Sequence, residues 1–286
     1  MTRSRATGIG FIAVILWSFL ALLTVGSSPI PPLLLNAICF FIGGTLGLIW
    51  TSANGGLGQL RSIPTRIYVF GTLGLFGYHA LYFSALRLAP AAKAGLIAYL
   101  WPLLIVVFSG LLPGEELRPG HLGGAALGFT GAATIIAGGS DGFQAQYFPG
   151  YALAILCALV WSAYSVLSRR IGDAPTSFVS VFCLATAALS AVLHLLLEDT
   201  VWPSGTTGWL STIGLGPVGM AFYLWDIGVK RGDIQMLGTG SYAAPLLSTL
   251  IFVVAGIAEP SWSLIIAAVL ITGGALVALR ASLQSS

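Results

Sequence analysis

Charge is what this chain has least of. Only 7% of its 286 residues are Asp, Glu, Lys or Arg, against 57% hydrophobic, whereas a soluble domain is about 25% charged. Between Arg5 and Arg61 there is no charged residue at all. Further uncharged runs cover 67–86, 94–114, 119–140, 142–168, 174–197, 200–225, 234–258 and 260–279. These runs exclude a soluble domain. The three cysteines, Cys39, Cys157 and Cys183, all fall inside apolar runs, so an exposed disulfide framework is excluded and redox compartment is left open. No His-x-x-Glu-His pattern occurs, and the Gly-x-x-x-x-Gly-Lys-Ser/Thr loop needed to drive transport with ATP is absent. No catalytic set, cofactor or metal is therefore expected. No basic run with interleaved aromatics accompanies the net charge of +3, so nucleic acid is not an expected partner. Short segments of alternating polarity, the mark of a membrane β-barrel, are also missing.

What is present is a series of continuous apolar runs. A membrane-spanning helix needs about 20 mainly apolar residues, and nearly every run reaches that length. Ser27-Ser28-Pro29-Ile30-Pro31-Pro32 divides the first run in two. The expected fold is an all-α polytopic membrane protein of ten helices over 7–26, 32–50, 66–86, 91–112, 120–138, 149–169, 176–197, 208–229, 234–257 and 261–280. Only the connection from Thr51 to Thr65 exceeds about a dozen residues, so no soluble domain fits between them. Met1-Thr2-Arg3-Ser4-Arg5 before an apolar run has the outline of a signal peptide. Trp17-Ser18 recurs as Trp161-Ser162, however, and the first helix is read as retained.

That recurrence belongs to a longer repeat. Tyr99, Pro102, Leu103 and Leu104 match Tyr242, Pro245, Leu246 and Leu247 at a shift of 143, as do Arg87 with Lys230, Glu116 with Glu259, and Gly131 with Gly274. Trp17-Ser18 matches at 144. Five helices per copy is an odd number, so the second copy enters the membrane inverted, an arrangement that places a binding site at the repeat interface. The expected units are 1–140 and 141–286. With both termini cytoplasmic, the inner segments hold Arg3, Arg5, Arg61, Arg66, Arg118, Arg169, Arg170, Lys230, Arg231 and Arg280, and the outer ones only Arg87 and Lys93. That bias sets the expected orientation.

The sharpest local pattern is Tyr99-Leu-Trp-Pro-Leu-Leu, then Gly114-Glu-Glu-Leu, then Gly123-Gly-Ala-Ala-Leu-Gly-Phe-Thr-Gly131. Its echo is Ser241-Tyr-Ala-Ala-Pro-Leu-Leu, Glu259 and Thr272-Gly-Gly-Ala275. This doubled pattern resembles the EamA module of the drug/metabolite transporter superfamily and covers essentially the whole chain. The segment Arg87-Leu-Ala-Pro-Ala-Ala-Lys-Ala-Gly-Leu-Ile-Ala-Tyr-Leu-Trp-Pro102 resembles the bacterial exporters of aromatic amino acids. The resemblance implies ten helices around a central cavity, alternating access, and export of amino acids or related metabolites across a bacterial inner membrane.

Polar groups within apolar spans are functional candidates by default. His79 lies mid-helix, with Tyr78 and Tyr82 sharing a face about 100° round from it. Trp17 and Ser18, and their counterparts Trp161 and Ser162, sit too deep for an interfacial aromatic belt. Tyr99, Trp101 and Tyr242 precede Pro102 and Pro245, which are expected to bend matching helices and serve as hinges. Tyr99 and Trp101 are about 200° apart on an ideal helix, so both line one cavity only if Pro102 distorts it. For each of these residues ordinary packing is the alternative. Asp226 lies one turn before Lys230, and the plain expectation is an i,i+4 ion pair. The sharper one is a proton or substrate site. Lys93 either snorkels to the outer surface or meets a carboxylate at the outer mouth.

Many rings and few fixed charges favour a secondary exporter of amino acids, aromatic ones preferred, with stacking for the side chain and polar tips for the other end. The alternative is an exporter of other metabolites or drugs, of which a proton-coupled multidrug carrier is one form. That chemistry as known in small multidrug carriers needs an acid in helix 1, and none is there. A phosphate-ester carrier would need more basic groups at depth. The expected partners are a small-molecule substrate and the lipid bilayer, with no obligatory protein partner evident.

Overall fold

The computed structural model describes residues 1–136, 144–171 and 174–284. Among them there is no β-strand. The helices are α1 (Arg3–Ser18), α2 (Leu20–Gly26), α3 (Pro32–Ala53), α4 (Leu57–Arg61), α5 (Thr65–Leu88), α6 (Ala91–Ala98), α7 (Trp101–Ser109), α8 (Pro119–Ile136), α9 (Phe148–Ser168), α10 (Val179–Leu197), α11 (Gly205–Val218), α12 (Ala221–Arg231), α13 (Ile234–Gly240), α14 (Ala243–Val254) and α15 (Trp262–Leu283). Eight helical stretches among the described residues are long and apolar enough to cross a membrane: Arg3–Gly26, Pro32–Ala53, Thr65–Leu88, Ala145–Ile171, Thr176–Leu197, Gly205–Arg231, Ile234–Val254 and Trp262–Leu283. The two remaining runs expected from the sequence are α8 and the split pair α6–α7. The unit boundary expected at 140/141, and the expected end of the fifth helix at 138, lie outside the described residues.

Helix ends follow local chemistry. Pro32 opens α3 in its first turn, where its missing N–H would be unsatisfied anyway. The Asp233 carboxylate caps α13 by accepting from the Met236 N–H at 2.9 Å. The sequence expects helices over 91–112 and 234–257 that bend at Pro102 and Pro245, and the structure breaks both a few residues earlier. α6 gives way to α7 at Tyr99-Leu100, and α13 to α14 at Ser241-Tyr242. Both breaks precede a proline by about one turn. A proline ring clashes with the carbonyl four residues back and cannot donate to it; those carbonyls belong to Ala98 and Ser241, at the ends of α6 and next to α13. The bends therefore fall just before Pro102 and Pro245. A third break, at Gly219-Met220, follows Pro217. Its counterpart α5 has no internal proline and runs unbroken from Thr65 to Leu88. The first span is also interrupted, at Phe19.

The helices pack reciprocally between the two halves. α1 lies on α12 and α9 on α5, while α3 pairs with α10, α7 with α13, and α8 with α15. Small residues permit these approaches. A Cβ on Gly274 would run into the Gly124 carbonyl oxygen, where α15 meets α8. A Cβ on Gly228 would sit 2.7 Å from Gly10 Cα, where α12 meets α1. At the repeat-equivalent contact, Ala85 of α5 and Ala154 of α9 are fully buried in one cluster.

Candidate functional site

The reciprocal packing brings the faces of α1, α3, α5, α7, α9 and α12 around one aromatic cluster. Trp17 is its hub: its ring lies 5.8 Å from Trp161, 5.2 Å from Trp225, 5.7 Å from Phe222 and 6.5 Å from Trp101. Trp161 also meets Tyr78 at 5.3 Å, Tyr164 at 5.3 Å and Trp101 edge-on at 6.3 Å. Tyr78 and Tyr82, one turn apart on α5, stack at 6.0 Å with 5° between their planes. Offset and edge-to-face arrangements at these spacings are the favourable ones for rings.

His79 stands edge-on to Phe40 at 4.9 Å and to Tyr78 at 5.1 Å. Its Nδ1 is 2.7 Å from the Leu75 carbonyl oxygen. A carbonyl only accepts, so Nδ1 carries the proton and Nε2 of the neutral ring is left as an acceptor. The helix break makes Tyr99 and Trp101 neighbours, 6.4 Å apart, despite their separation on an ideal helix. Trp161 and Trp101 are buried, while Trp17, Tyr78, His79, Tyr82 and Tyr99 are half-buried.

The other residues singled out in the sequence go elsewhere. Ser162 donates to the carbonyls of Ala158 and Trp101, at 2.6 and 3.1 Å, and so ties α9 to the start of α7. Ser18 donates to the Ile15 carbonyl at 2.6 Å and lines an apolar groove with Phe19, Leu22, Leu247 and Leu250. Tyr242 is fully buried against Phe129. Its hydroxyl accepts from the Leu103 N–H at 3.1 Å, a donor that the α6–α7 break deprives of the Tyr99 carbonyl. One broken helix thus satisfies the backbone of the other. Lys93 is buried on α6. Asp226 and Lys230 close their expected pair at 2.9 Å.

Rings and charges that composition did not single out complete the picture. Phe222 and Trp225 belong to the cluster, and the 143 shift places them on His79 and Tyr82. Phe40 and Tyr164 had no such signal. At the end of the bundle where α1 begins, Arg3 pairs with Glu115 at 3.1 Å and with Asp233 at 3.5 Å. There Arg169 pairs with Glu115 at 2.5 Å and donates to the carbonyls of Val229 and Gly232. Where α3 begins, Glu198 pairs with Arg87 at 2.7 Å and His194 at 3.0 Å, and accepts from the Leu33 and Leu34 N–H groups. Ion pairs thus tie both ends, and rings fill the middle. Among the described residues no group of His, Cys, Asp and Glu could hold a metal ion.

Comparison with known proteins accords with this double architecture. The model of the EamA-like transporter family matches twice, over residues 5–137 and 148–280. The second match starts 143 residues after the first, which is the offset of the internal repeat. The aromatic amino acid exporter YddG of Ancylobacter novellus is 56% identical over 283 residues, covering 97% of this chain and 98% of that protein. The aromatic amino acid exporter YddG of Escherichia coli is 28% identical, over 96% and 97% of the two chains. A crystal structure 56% identical in sequence superposes with a TM-score of 0.93 over 98% of this chain and 99% of that one. With two full copies of the module and relatives alike from end to end, the chain belongs to the EamA-like transporter family and is a multi-pass membrane transporter, not an enzyme.

Proposed function

We propose that this protein exports amino acids, aromatic ones preferred, across the bacterial inner membrane as a secondary transporter. The observation that carries the reading is the cluster of Trp17, Tyr78, His79, Tyr82, Tyr99, Trp101 and Trp161 at the interface of the two halves. A ring-shaped side chain has stacking partners there, and Tyr hydroxyls with the His79 Nε2 acceptor offer orientation to the polar end. The names of two relatives, both aromatic amino acid exporters, support the same substrate class.

In this reading the frame is ten spans, built as two inverted five-helix units over 1–140 and 141–286. α6–α7 and α8 supply the two spans beyond the eight long ones, the first of them broken before Pro102. Reciprocal packing of α1 on α12 and α9 on α5 supports the inversion, since a two-fold axis in the membrane plane exchanges those pairs. Both termini are cytoplasmic, by the excess of Lys and Arg on that side. Alternating access follows from flexing at the paired breaks before Pro102 and Pro245.

The test is counterflow in proteoliposomes loaded with L-phenylalanine, L-tryptophan, L-lysine or a neutral sugar. Phenylalanine and tryptophan are expected to exchange at least about tenfold faster than lysine or the sugar, the effect of roughly 1.4 kcal/mol of preferential binding. If both stay at background, the exporter reading is wrong. Exchange of all four alike would remove the aromatic preference.

A further inference from the structure

The central cluster presents rings and neutral tips, yet a free amino acid carries an ammonium and a carboxylate into the membrane. Isolated charges at that depth are expensive. On α12 the side chains of Phe222, Asp226 and Lys230 fall at successive i,i+4 positions, so one stripe leads from the cluster to a charge pair one turn, about 5.4 Å, further on. Asp226 is 1% exposed and Lys230 8%. The Asp226 carboxylate accepts from Lys230 Nζ at 2.9 Å and from the Thr176 hydroxyl at 2.8 Å. Lys230 also donates to the Ala174 carbonyl at 3.2 Å and lies 4.0 Å over the Phe178 ring. The pair therefore fastens α12 to the segment 174–178, which leads into α10.

Buried ion pairs add little net stability over an apolar pair of the same shape, so packing alone does not account for this one. Other acids with largely enclosed side chains are already spent on helix ends or on arginines: Glu198 accepts from the first N–H groups of α3, Glu115 pairs with Arg3 and Arg169, and the half-buried Asp233 caps α13. Asp226 and Lys230 have instead the two charges complementary to an amino acid, beside rings that accept its side chain.

We propose that Asp226 and Lys230 receive the two charges of the substrate zwitterion, Asp226 accepting from the α-ammonium and Lys230 donating to the α-carboxylate, with the side chain against Phe222 and Trp225. The exchange leaves all four charges paired, so no ion is stranded. It also parts the two residues from each other and frees α12 from segment 174–178. The pair is thus both a recognition site and a latch that the substrate's own charges open from the end where α1 begins. This assignment rests on the exporter reading and deepens it.

The test uses the full chain in proteoliposomes and in detergent. The double variant D226N/K230Q keeps side-chain volume and leaves no unpaired charge. It is expected to unfold at the temperature of the unmodified protein yet exchange L-phenylalanine at least about tenfold more slowly. A folded double variant exchanging within about twofold of the unmodified protein overturns the assignment. A second measurement needs no variant: tryptophan fluorescence titrated with L-phenylalanine, 3-phenylpropionate and phenethylamine, the last two carrying one charge each. Both single-charge compounds are expected to bind the unmodified protein at least about tenfold more weakly. Equal binding of all three overturns the assignment even if the double variant fails to fold. Absence of any L-phenylalanine exchange by the unmodified protein would instead remove the exporter reading, and this assignment with it.

Discussion

Position for position, α5 offers Tyr78, His79 and Tyr82 where α12 offers Ala221, Phe222 and Trp225. Both helices pack on the first helix of the opposite half, α5 on α9 and α12 on α1, and both point rings into one cluster. α5 brings hydroxyls and an imidazole to it; α12 brings bare rings, then the Asp226–Lys230 pair one turn on. α5 is unbroken, whereas the polypeptide before α12 bends after Pro217. A repeated frame thus carries an unrepeated lining, and in the function proposed above that lining lets a substrate with a flat end and a charged end sit one way round.

The comparison breaks most visibly at the paired tryptophans. Trp161 is 3% exposed and touches Trp17, Tyr78, Trp101, Tyr164, Phe222 and Trp225. Trp161→Ala is expected to cost about 3–5 kcal/mol of stability, read as the largest drop in thermal unfolding midpoint among these variants. Trp17→Ala, at the half-buried counterpart, is expected to cost less. Equal losses would mean that the two copies are packed alike.

The tyrosines at the two helix breaks sharpen the contrast next. Tyr242→Phe strands the part-buried Leu103 N–H and is expected to cost about 1–3 kcal/mol. Tyr99→Phe, with no such backbone bond to lose, is expected to stay within about 0.5 kcal/mol on the same measurement. Comparable losses at the two positions would contradict the clamp assigned to Tyr242. A contrast of similar size is expected at neighbouring glycines of α15. Gly274→Ala pushes a methyl into the Gly124 backbone and is expected to cost about 1–3 kcal/mol through separation of α8 and α15. At Gly273 a Cβ meets nothing within 4 Å, so Gly273→Ala is expected to be neutral or slightly stabilising by its gain in helix propensity.

The spans were legible in the sequence because lipid imposes them: uncharged runs and their lengths follow from the need to satisfy backbone groups without water, while the 143 shift was legible from matching residues alone. Tyr78, His79, Tyr82, Trp17 and Trp161 were legible as candidates because polar or large groups at depth are rare in so apolar a chain. The bends were legible only to within a turn, since proline marks the donor that is missing while the chain yields near the carbonyl that loses it. Phe40 and Tyr164 were not legible, because phenylalanine and tyrosine are common in apolar helices and only packing decides which face a shared interior. Nor were the roles of Ser162 and Tyr242: a hydroxyl's partner is set by the neighbouring helix, and both turned out to serve broken backbone. Glu115, Arg169 and Glu198 sit at helix ends like many solvated residues, and only the fold shows them joined.

The most direct test of the lining is to make α5 resemble α12 at one position. His79→Phe installs the residue its counterpart already has and keeps the ring contacts with Phe40 and Tyr78. The variant is expected to unfold at the temperature of the unmodified protein while L-phenylalanine counterflow falls about tenfold, the effect of losing one well-placed hydrogen-bonding partner. Counterflow unchanged by His79→Phe in a fully folded protein would contradict the account, because the two copies would then be interchangeable where the substrate is held.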